Sequence, residues 1–358
     1  MTVRYFTHYE TGCALTRAVR NPTQFQFGLL FALGSAFFFS VSGPLAKSLM
    51  ESGWSATAAV TARMACGATA LAVFATAVHP GWVREMRQHA RVIAVYGLIP
   101  VAGAQLCYYN AVAHLSVGVA ILLEYTAPIL VIAWIWATTR IRPSGLTLIG
   151  VGLAITGITL VLNVFSDTSP TASHADPGST VGVVWALGAA LSAAFYFMMS
   201  AKVTTGNSAS DGTSGAPGLH PITLATGGLV TGAITVALIG IAGVLPLRFT
   251  MNDAVLAGAT LPWFVPVILL GIIPTAVAYA FGIVGVSRLR PGFASLVGLS
   301  EVLFAVLASW LVLHESISGI QAFGGAVVLL GLTLARLGEP DNRAATEEAS
   351  CSELASHL

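Results

Sequence analysis

The chain has 358 residues, of which 56% are hydrophobic and 9% are charged, and its net charge is +1. A soluble domain carries about 25% charged residues, so this composition excludes an ordinary water-soluble protein and indicates one embedded in a lipid bilayer. Nucleic-acid binding needs clustered Lys and Arg, and the balanced charge gives no reason to expect it. Residues 1 to 24 are polar and do not resemble a cleaved signal peptide.

Ten apolar segments are long enough to cross the hydrocarbon, which takes about 20 helical residues. They are rich in glycine and alanine, which let helices approach closely in lipid. The sequence therefore predicts an all-α polytopic membrane protein with ten transmembrane helices. We number these helices as spans 1 to 10, at residues 26–49, 55–78, 92–112, 117–138, 145–164, 181–201, 221–246, 262–286, 291–313 and 318–337.

The second half of the chain repeats the first. Residues 97–160 match residues 271–334 without a gap, so that Trp136 falls on Trp310. Upstream, span 1 matches span 6 with a different offset, and a polar loop near residues 204–219 largely accounts for the difference. Each repeat then has five helices. Because five is odd, the two repeats enter the membrane in opposite directions and form two inverted five-helix repeats.

Arginine and lysine concentrate in the segments on the side of the N-terminus, whereas Arg248 and Lys47 lie on the other side. The positive-inside rule therefore predicts that both termini are cytoplasmic. With no transit peptide, the location we expect is a bacterial plasma membrane. The predicted regions are a cytoplasmic tail at 1–25, the repeats at 26–164 and 181–337, an external linker at 165–180 and a second cytoplasmic tail at 338–358.

Arg63 in span 2 and Glu124 in span 4 are ionisable groups at similar depth, about 11 Å from the outer helix ends at 1.5 Å per residue. Placing such a group near a helix centre costs roughly 2.5 to 3.5 kcal/mol, so their presence needs an explanation. Two interpretations are open. The two residues form a permanent ion pair between spans 2 and 4, or they line a cavity in which Arg63 meets a substrate carboxylate and Glu124 meets its ammonium group.

Glu301 lies near the middle of span 9, with no cation nearby in the sequence. An isolated carboxyl group in an apolar setting tends to keep its proton, which makes Glu301 a candidate proton carrier. The alternative is a neutral Glu that is hydrogen-bonded to a backbone carbonyl at a helix break. Both interpretations are consistent with the sequence.

Tyrosines and a lysine supply further candidate binding groups. Tyr125 adjoins Glu124, and Tyr108 and Tyr196 lie in spans 3 and 6. Tyrosine near a helix end is also typical of the membrane interface. Lys47, near the outer end of span 1, either extends its side chain to the interface or contacts an anion at the outer mouth.

Four prolines lie inside apolar spans. Proline lacks an N–H group and clashes with the preceding turn, so each is expected to kink its helix and free carbonyls for ligand binding or bending. The predicted kinks are at Pro44, Pro100, Pro128 and Pro274.

No catalytic arrangement is found in the sequence. The motifs HExxH, CxxC and GxSxG and the phosphate-binding Walker loop do not occur. We therefore expect neither an enzyme nor a bound cofactor or metal, and any transport would draw its energy from a gradient.

The sequence resembles the EamA family of the drug/metabolite transporter superfamily over residues 26–337. The resemblance rests on Arg63 in the middle of span 2, on the segment from Gly118 to Pro128, and on the Ser-Glu-Val-Leu-Phe-Ala sequence that begins at Ser300. Two short stretches, Leu-Ala-Lys-Ser-Leu at 45–49 and Leu-Glu-Tyr-Thr at 123–126, resemble the threonine and homoserine exporter branch.

The resemblance implies a carrier with a cavity between its halves that exports amino acids or related metabolites, either downhill or coupled to protons. Its expected partners are a small-molecule substrate, lipid and protons. Alternatives are a multidrug exporter or metabolite importer of the same fold, and a non-transporting membrane scaffold or sensor. The family often has Gly-Glu at the end of span 9, where this chain has His314 and Glu315, so we expect Glu315 to be a structural group at the helix end.

Overall fold

The computed structural model describes residues 22–140, 142–162, 177–206, 219–286, 288–289, 296–315 and 318–338. Within these residues the chain is mostly helical. Nine helices are long and apolar enough to cross a membrane, and Gly145–Val161 is a shorter apolar helix. The prediction of an all-α polytopic fold with ten spans is confirmed. The C-terminal tail and most of the N-terminal tail, linker and polar loop lie outside the described residues.

The helices follow the predicted order, and several are divided. Those of the first repeat are Pro22–Ser40 and Ser42–Glu51 (span 1), Ala56–Val78 (span 2), Ala90–Tyr96, Gly97–Gly103 and Ala104–His114 (span 3), Val117–Glu124 and Ala127–Thr139 (span 4), and Gly145–Val161 (span 5). Those of the second are Pro177–Gly206 (span 6), Pro221–Ile241 (span 7), Phe264–Gly271, Ile272–Val277 and Ala278–Val286 (span 8), Leu296–Leu313 (span 9) and Gly319–Leu337 (span 10).

Serine caps set the starts of four spans. The side chains of Ser55, Ser116, Ser144 and Ser318 each accept a hydrogen bond from a backbone N–H in the first turn of spans 2, 4, 5 and 10. Such caps satisfy backbone donors that have no partner inside the helix. Span 6 begins at Pro177, earlier than predicted, because proline is tolerated in the first turn of a helix.

Spans 3 and 8 are interrupted at equivalent points of the two repeats. Each contains a π-helical segment, at Gly97–Gly103 and at Ile272–Val277, and the segments contain Pro100 and Pro274. Because proline cannot donate the regular helical hydrogen bond, the helix widens by one residue at this point. The duplication seen in the sequence is therefore also present in the backbone geometry.

Span 4 is broken at Tyr125 and Thr126, and Pro128 is the second residue of the helix that follows. The equivalent position in span 9 is Leu299, where that helix is also interrupted by a turn. Span 1 has a break at Val41, three residues before its own proline. The corresponding part of span 6 lies within one continuous helix, so this last interruption belongs to the first repeat alone.

A β-hairpin joins spans 7 and 8, where the sequence predicted only a connection. Its strands, β1 (Ala254–Leu256) and β2 (Ala259–Leu261), pair in antiparallel register. The Ser48 hydroxyl of span 1 donates to the carbonyl of Val255 at 2.6 Å. The hairpin thus packs over the end of span 1, at the predicted outer face.

Spans 5 and 10 cross with their backbones almost in contact. Glycines at equivalent positions of the repeats line the crossing, and a Cβ atom added at Gly157 would lie 2.6 Å from the amide nitrogen of Val328 and 2.7 Å from the carbonyl oxygen of Gly324. Small residues at helix interfaces permit this approach in lipid. The crossing joins the last helix of one repeat to the last helix of the other.

Replacing Gly157 with alanine should therefore destabilise the protein by about 1 to 3 kcal/mol, because the added methyl group meets backbone atoms that cannot rotate away. Gly152→Ala is the matched control on the same helix, since a Cβ there meets nothing within 4 Å. Thermal unfolding of the purified proteins measures the difference. Equal midpoints for the two variants would contradict close packing at Gly157.

A short helix, Trp82–Gln88, connects spans 2 and 3 and binds the start of span 7. Glu85 accepts hydrogen bonds from the His220 amide at 2.6 Å, from the Thr223 hydroxyl, and from His79 at 3.1 Å. Burial alone would raise the pKa of Glu85, but these hydrogen bonds favour the charged form and bring the pKa below its ordinary value. The connection therefore depends on an ionised carboxylate.

Because the folded protein holds the pKa of Glu85 below its unfolded value, the stabilisation is present above the unfolded pKa and is lost as the pH falls through the folded pKa. We expect the thermal midpoint to fall on acidification below about pH 4.5. Glu85→Gln should weaken that dependence, whereas Glu51→Gln, at an exposed carboxylate, should not. An unchanged pH profile in Glu85→Gln would refute this role.

Candidate functional site at the helix breaks

Arg63 is buried, with 5% of its surface exposed, and its guanidinium group faces spans 1 and 3. Its Nη1 atom lies 2.8 Å from the Ser42 hydroxyl, 2.6 Å from the Gln105 side-chain oxygen and 3.0 Å from the Tyr109 hydroxyl. The guanidinium carbon is also 5.6 Å from the centre of the Tyr109 ring, within the range of a cation–π interaction. These partners are all neutral.

The remaining contacts of Arg63 reach the second repeat. Its Nε atom donates to the Thr275 hydroxyl at 3.3 Å, and Nη2 donates to the carbonyl of Pro274 at 3.2 Å. Both acceptors lie in the π-helical segment of span 8. Arg63 thus connects spans 1, 2 and 3 to the interrupted part of span 8.

The direct Arg63–Glu124 ion pair, one of the two interpretations left open by the sequence, does not form. Among the residues that the structure describes, the ion pairs within 4 Å are Lys47–Glu315 and His79–Glu85. The physical reason is that the donors of Arg63 point towards spans 1, 3 and 8, whereas Glu124 faces a separate cavity.

Tyr125 links the two broken helices. Its hydroxyl lies 2.6 Å from a carboxylate oxygen of Glu301 and 3.1 Å from the carbonyl of Gly298, so its single proton serves one of two acceptors. Glu301 was expected near the middle of span 9, but it lies in the first turn of the helix Ser300–Leu313 that follows the break. The positive end of that helix favours a carboxylate at this position.

A cavity of about 250 Å³ adjoins this contact. It draws residues from spans 4, 6, 9 and 10, and hence from both repeats. The lining includes one carboxylate side chain, Glu124, and one guanidinium side chain, Arg336. The lining residues are Glu124, Tyr125, Ala127, Pro128, Ala193, Gly298 and Arg336.

A larger groove of about 510 Å³ lies between spans 2 and 7, away from these groups. Its lining is made of alanine, valine, isoleucine and threonine side chains and includes no ionisable residue. The smaller cavity is therefore the candidate binding site.

Lys47 contacts Glu315 at the predicted outer face, as an ion pair between spans 1 and 9. Its Nζ atom also lies 3.4 Å from the carbonyl of Leu115, and Glu315 accepts a hydrogen bond from the Val117 amide at 3.2 Å. The anion that Lys47 meets in this structure is thus a side chain of the protein. These contacts join spans 1, 4 and 9 at that face.

Tyr108 and Tyr196 lie outside the cavity. Tyr108 is buried against span 1, where a Cβ atom added at Gly43 would come within 2.6 Å of its hydroxyl. The Tyr196 ring lies 5.8 Å from that of Tyr96 in span 3. Tyr108 thus packs between helices, whereas Tyr196 is exposed and contacts span 3 from the surface.

Arg336, which lines the cavity, was missed as a site residue by the sequence reasoning. In the sequence it counts as one of many arginines at the predicted inner ends, and no local pattern separates it from them. Gln105 and Tyr109 did carry a signal, because residues four apart share one helix face. That face is the one directed at Arg63.

Duplicated five-helix halves, paired interruptions and buried carboxylates around a cavity are features of membrane transporters built from inverted repeats. The chain belongs to the EamA-like transporter family, whose sequence model matches residues 26–163 and 180–337. Membership indicates a small-molecule substrate and a lipid environment.

Comparison with solved structures supports the fold. One crystal structure of a protein is 18% identical in sequence and matches with a TM-score of 0.55, over 87% of this chain and 96% of the other. It is one of thirteen solved chains that match. At this identity the likeness concerns the fold alone. The comparison with curated proteins gave no match.

Arg63 holds span 2 to spans 1, 3 and 8 through its hydrogen bonds. Arg63→Gln should therefore lower the free energy of unfolding by roughly 3 kcal/mol, because buried partners on three other spans lose their donor. Arg248→Gln removes an exposed arginine and should leave stability unchanged. Thermal unfolding of the purified variants gives the comparison. Wild-type stability combined with lost transport in Arg63→Gln would instead assign Arg63 to direct contact with the substrate.

Proposed function

We propose that this protein is a secondary transporter that exports an amino acid or a related small polar metabolite from the bacterial cytoplasm by alternating access. The observation that carries the proposal is the cavity at the break of span 4, where Glu124 and Tyr125 face residues of the second repeat. Ionisable groups at this depth are costly to insert and mark a polar binding site. Both termini face the cytoplasm in this proposal, following the distribution of arginine and lysine.

The size of the cavity favours a small substrate over a drug. Drug-sized ligands occupy pockets of about 300 to 1,000 Å³, whereas this cavity holds about 250 Å³. The short stretches that resemble the threonine and homoserine exporters make those two amino acids the first substrates to test.

Glu301 is the proposed proton carrier. Its carboxylate accepts the Tyr125 hydroxyl at 2.6 Å, and this contact joins the breaks of spans 4 and 9. Protonation of Glu301 would remove the charge from that contact and weaken the hydrogen bond, since bonds to charged acceptors are roughly twice as strong as neutral ones. Proton binding to Glu301 would therefore loosen the contact between the breaks of spans 4 and 9.

Counterflow of radiolabelled amino acids into proteoliposomes tests the proposed substrate class. We expect exchange of one or a few amino acids by the wild type, its loss in Glu124→Gln, and its retention in Glu51→Gln, which changes an exposed carboxylate. Exchange of drugs, sugars or nucleosides without amino acids would contradict the substrate class. Absence of any flux by the folded protein would favour a scaffold or sensor.

Glu301→Gln should separate exchange from proton coupling, because glutamine keeps the shape of the side chain and cannot carry the proton. We expect counterflow to persist in this variant, while uphill transport driven by an imposed pH gradient is lost. Both activities are measured in the same proteoliposomes. Unimpaired gradient-driven transport by Glu301→Gln would exclude the residue as the coupling group.

A further inference from the structure

The groove between spans 2 and 7 has no part in the proposed transport site. Its volume is about 510 Å³, within the range of about 300 to 1,000 Å³ that ligand pockets have. On span 2 it extends from Ala65 to Thr76, and at 1.5 Å per residue this is a length of about 16 Å. That is about half of the 30 Å thickness of the hydrocarbon. Because span 2 ends at Val78, the groove runs through one leaflet and reaches almost to its surface.

The polar atoms of the groove already have hydrogen-bond partners. The hydroxyl groups of Thr69 and Thr76 donate to the carbonyls of Ala65 and Ala72, each at 2.8 Å. Their protons are therefore not free for a ligand. The other lining side chains are alanine, valine and isoleucine, so the groove offers a ligand mainly hydrocarbon.

The short helix Trp82–Gln88 lies at the surface end of the groove. Trp82, its first residue, donates from Nε1 to the Thr76 hydroxyl at 3.1 Å and packs with Ile222 of span 7. Arg84 and Arg87 are exposed residues of the same helix, and residues three apart share one helix face. Two cations thus lie within two helical turns of the residue that borders the groove.

Arg84 and Arg87 have no ion-pair partner in the part of the chain that the structure describes. The acid of their helix, Glu85, is instead bonded to the start of span 7, through the His220 amide and the Thr223 hydroxyl. The exposed face of the helix therefore carries uncompensated positive charge. Guanidinium groups bind phosphate oxygens through paired N–H donors.

We propose that the groove binds an anionic phospholipid, with an acyl chain along spans 2 and 7 and the lipid phosphate at Arg84 and Arg87. An apolar groove that ends beside two unpaired cations complements a molecule in which a hydrocarbon chain is joined to a negatively charged head group. A zwitterionic phospholipid has the same chain, but its head group has no net charge to attract the arginines. The inference does not depend on which substrate the protein transports.

Photoaffinity labelling tests this assignment on the purified protein in detergent micelles. The probe is phosphatidylglycerol with a photoreactive diazirine on its acyl chain, and mass spectrometry identifies the labelled peptides. We expect label in residues 65–76 and 230–234. Unlabelled phosphatidylglycerol should compete about tenfold more strongly than phosphatidylcholine with the same chains, because two arginines attract an anionic head group.

A double variant tests the head-group contact. In Arg84→Gln/Arg87→Gln the preference for phosphatidylglycerol over phosphatidylcholine should fall towards one, while the groove is still labelled. Arg140→Gln/Arg142→Gln is the matched control, since it removes two exposed arginines at the predicted inner end of span 4. That control should keep the preference.

A second variant tests the chain contact. Thr69 is exposed, so Thr69→Trp should fill the groove without disturbing the core, and the groove should lose its label whichever head group the probe carries. Thr156→Trp in span 5 is the matched control, because Thr156 is likewise exposed and donates to its own helix at 2.9 Å. This control should be labelled like the wild type.

Three results would overturn the inference. One is equal competition by the two phospholipids in the wild type, which is measured without any variant. Another is an unchanged preference in Arg84→Gln/Arg87→Gln. The third is a wild-type protein that dimerises with its groove unlabelled and becomes monomeric in Thr69→Trp, which would assign the groove to a second copy of the chain.

Discussion

Every backbone polar group at membrane depth needs a hydrogen-bond partner, and the broken helices of this protein meet that requirement across its two halves. Arg63 of the first repeat donates to the carbonyl of Pro274 in the π-helical segment of span 8. Ser35 donates to a carbonyl just after the same segment, and Tyr125 lies within hydrogen-bonding distance of the Gly298 carbonyl at the break of span 9. Side chains of the first repeat thus contact backbone carbonyls at or near the interruptions of the second repeat. The interrupted helices of the second repeat therefore depend on the first repeat for these hydrogen bonds, and the same bonds hold the two repeats together.

The duplication gives spans 3 and 8, and spans 4 and 9, equivalent interruptions but different side chains at them. The repeat counterpart of Glu124 is Gly298, and the counterpart of Glu301 is Ala127. Glu124, Gly298 and Ala127 all line the cavity, and Glu301 is bonded to Tyr125 at its edge. Each acid therefore has a small residue at the equivalent position of the other repeat. The two carboxylates therefore do not occupy equivalent positions, and the small residues at the equivalent positions, Ala127 and Gly298, form part of the cavity wall.

The positions of the helices followed from the sequence, because they depend on local rules, whereas the break of span 9 at Leu299 has no proline to predict it. Apolar length predicted the ten spans, and Pro100 and Pro274 lie in the interrupted parts of spans 3 and 8. The partners of the buried charges did not follow, since they depend on how each helix rotates and crosses its neighbours. Depth alone made Arg63 and Glu124 plausible partners, and it carried no information on the direction of their side chains. For the same reason Arg336 could not be separated from other arginines at helix ends.

The contact between Lys47 and Glu315 distinguishes the predicted outer face of the protein from the predicted inner face. The repeat position that corresponds to Glu315 is Ile141, flanked by arginines, so the sequence provides no acid at the equivalent place on the predicted inner face. In the proposed alternating-access cycle, opening towards the outside would separate this ion pair, and the sequence has no equivalent acid at the predicted inner face. In that proposed cycle, the pair would favour the form of the empty protein that is closed towards the outside.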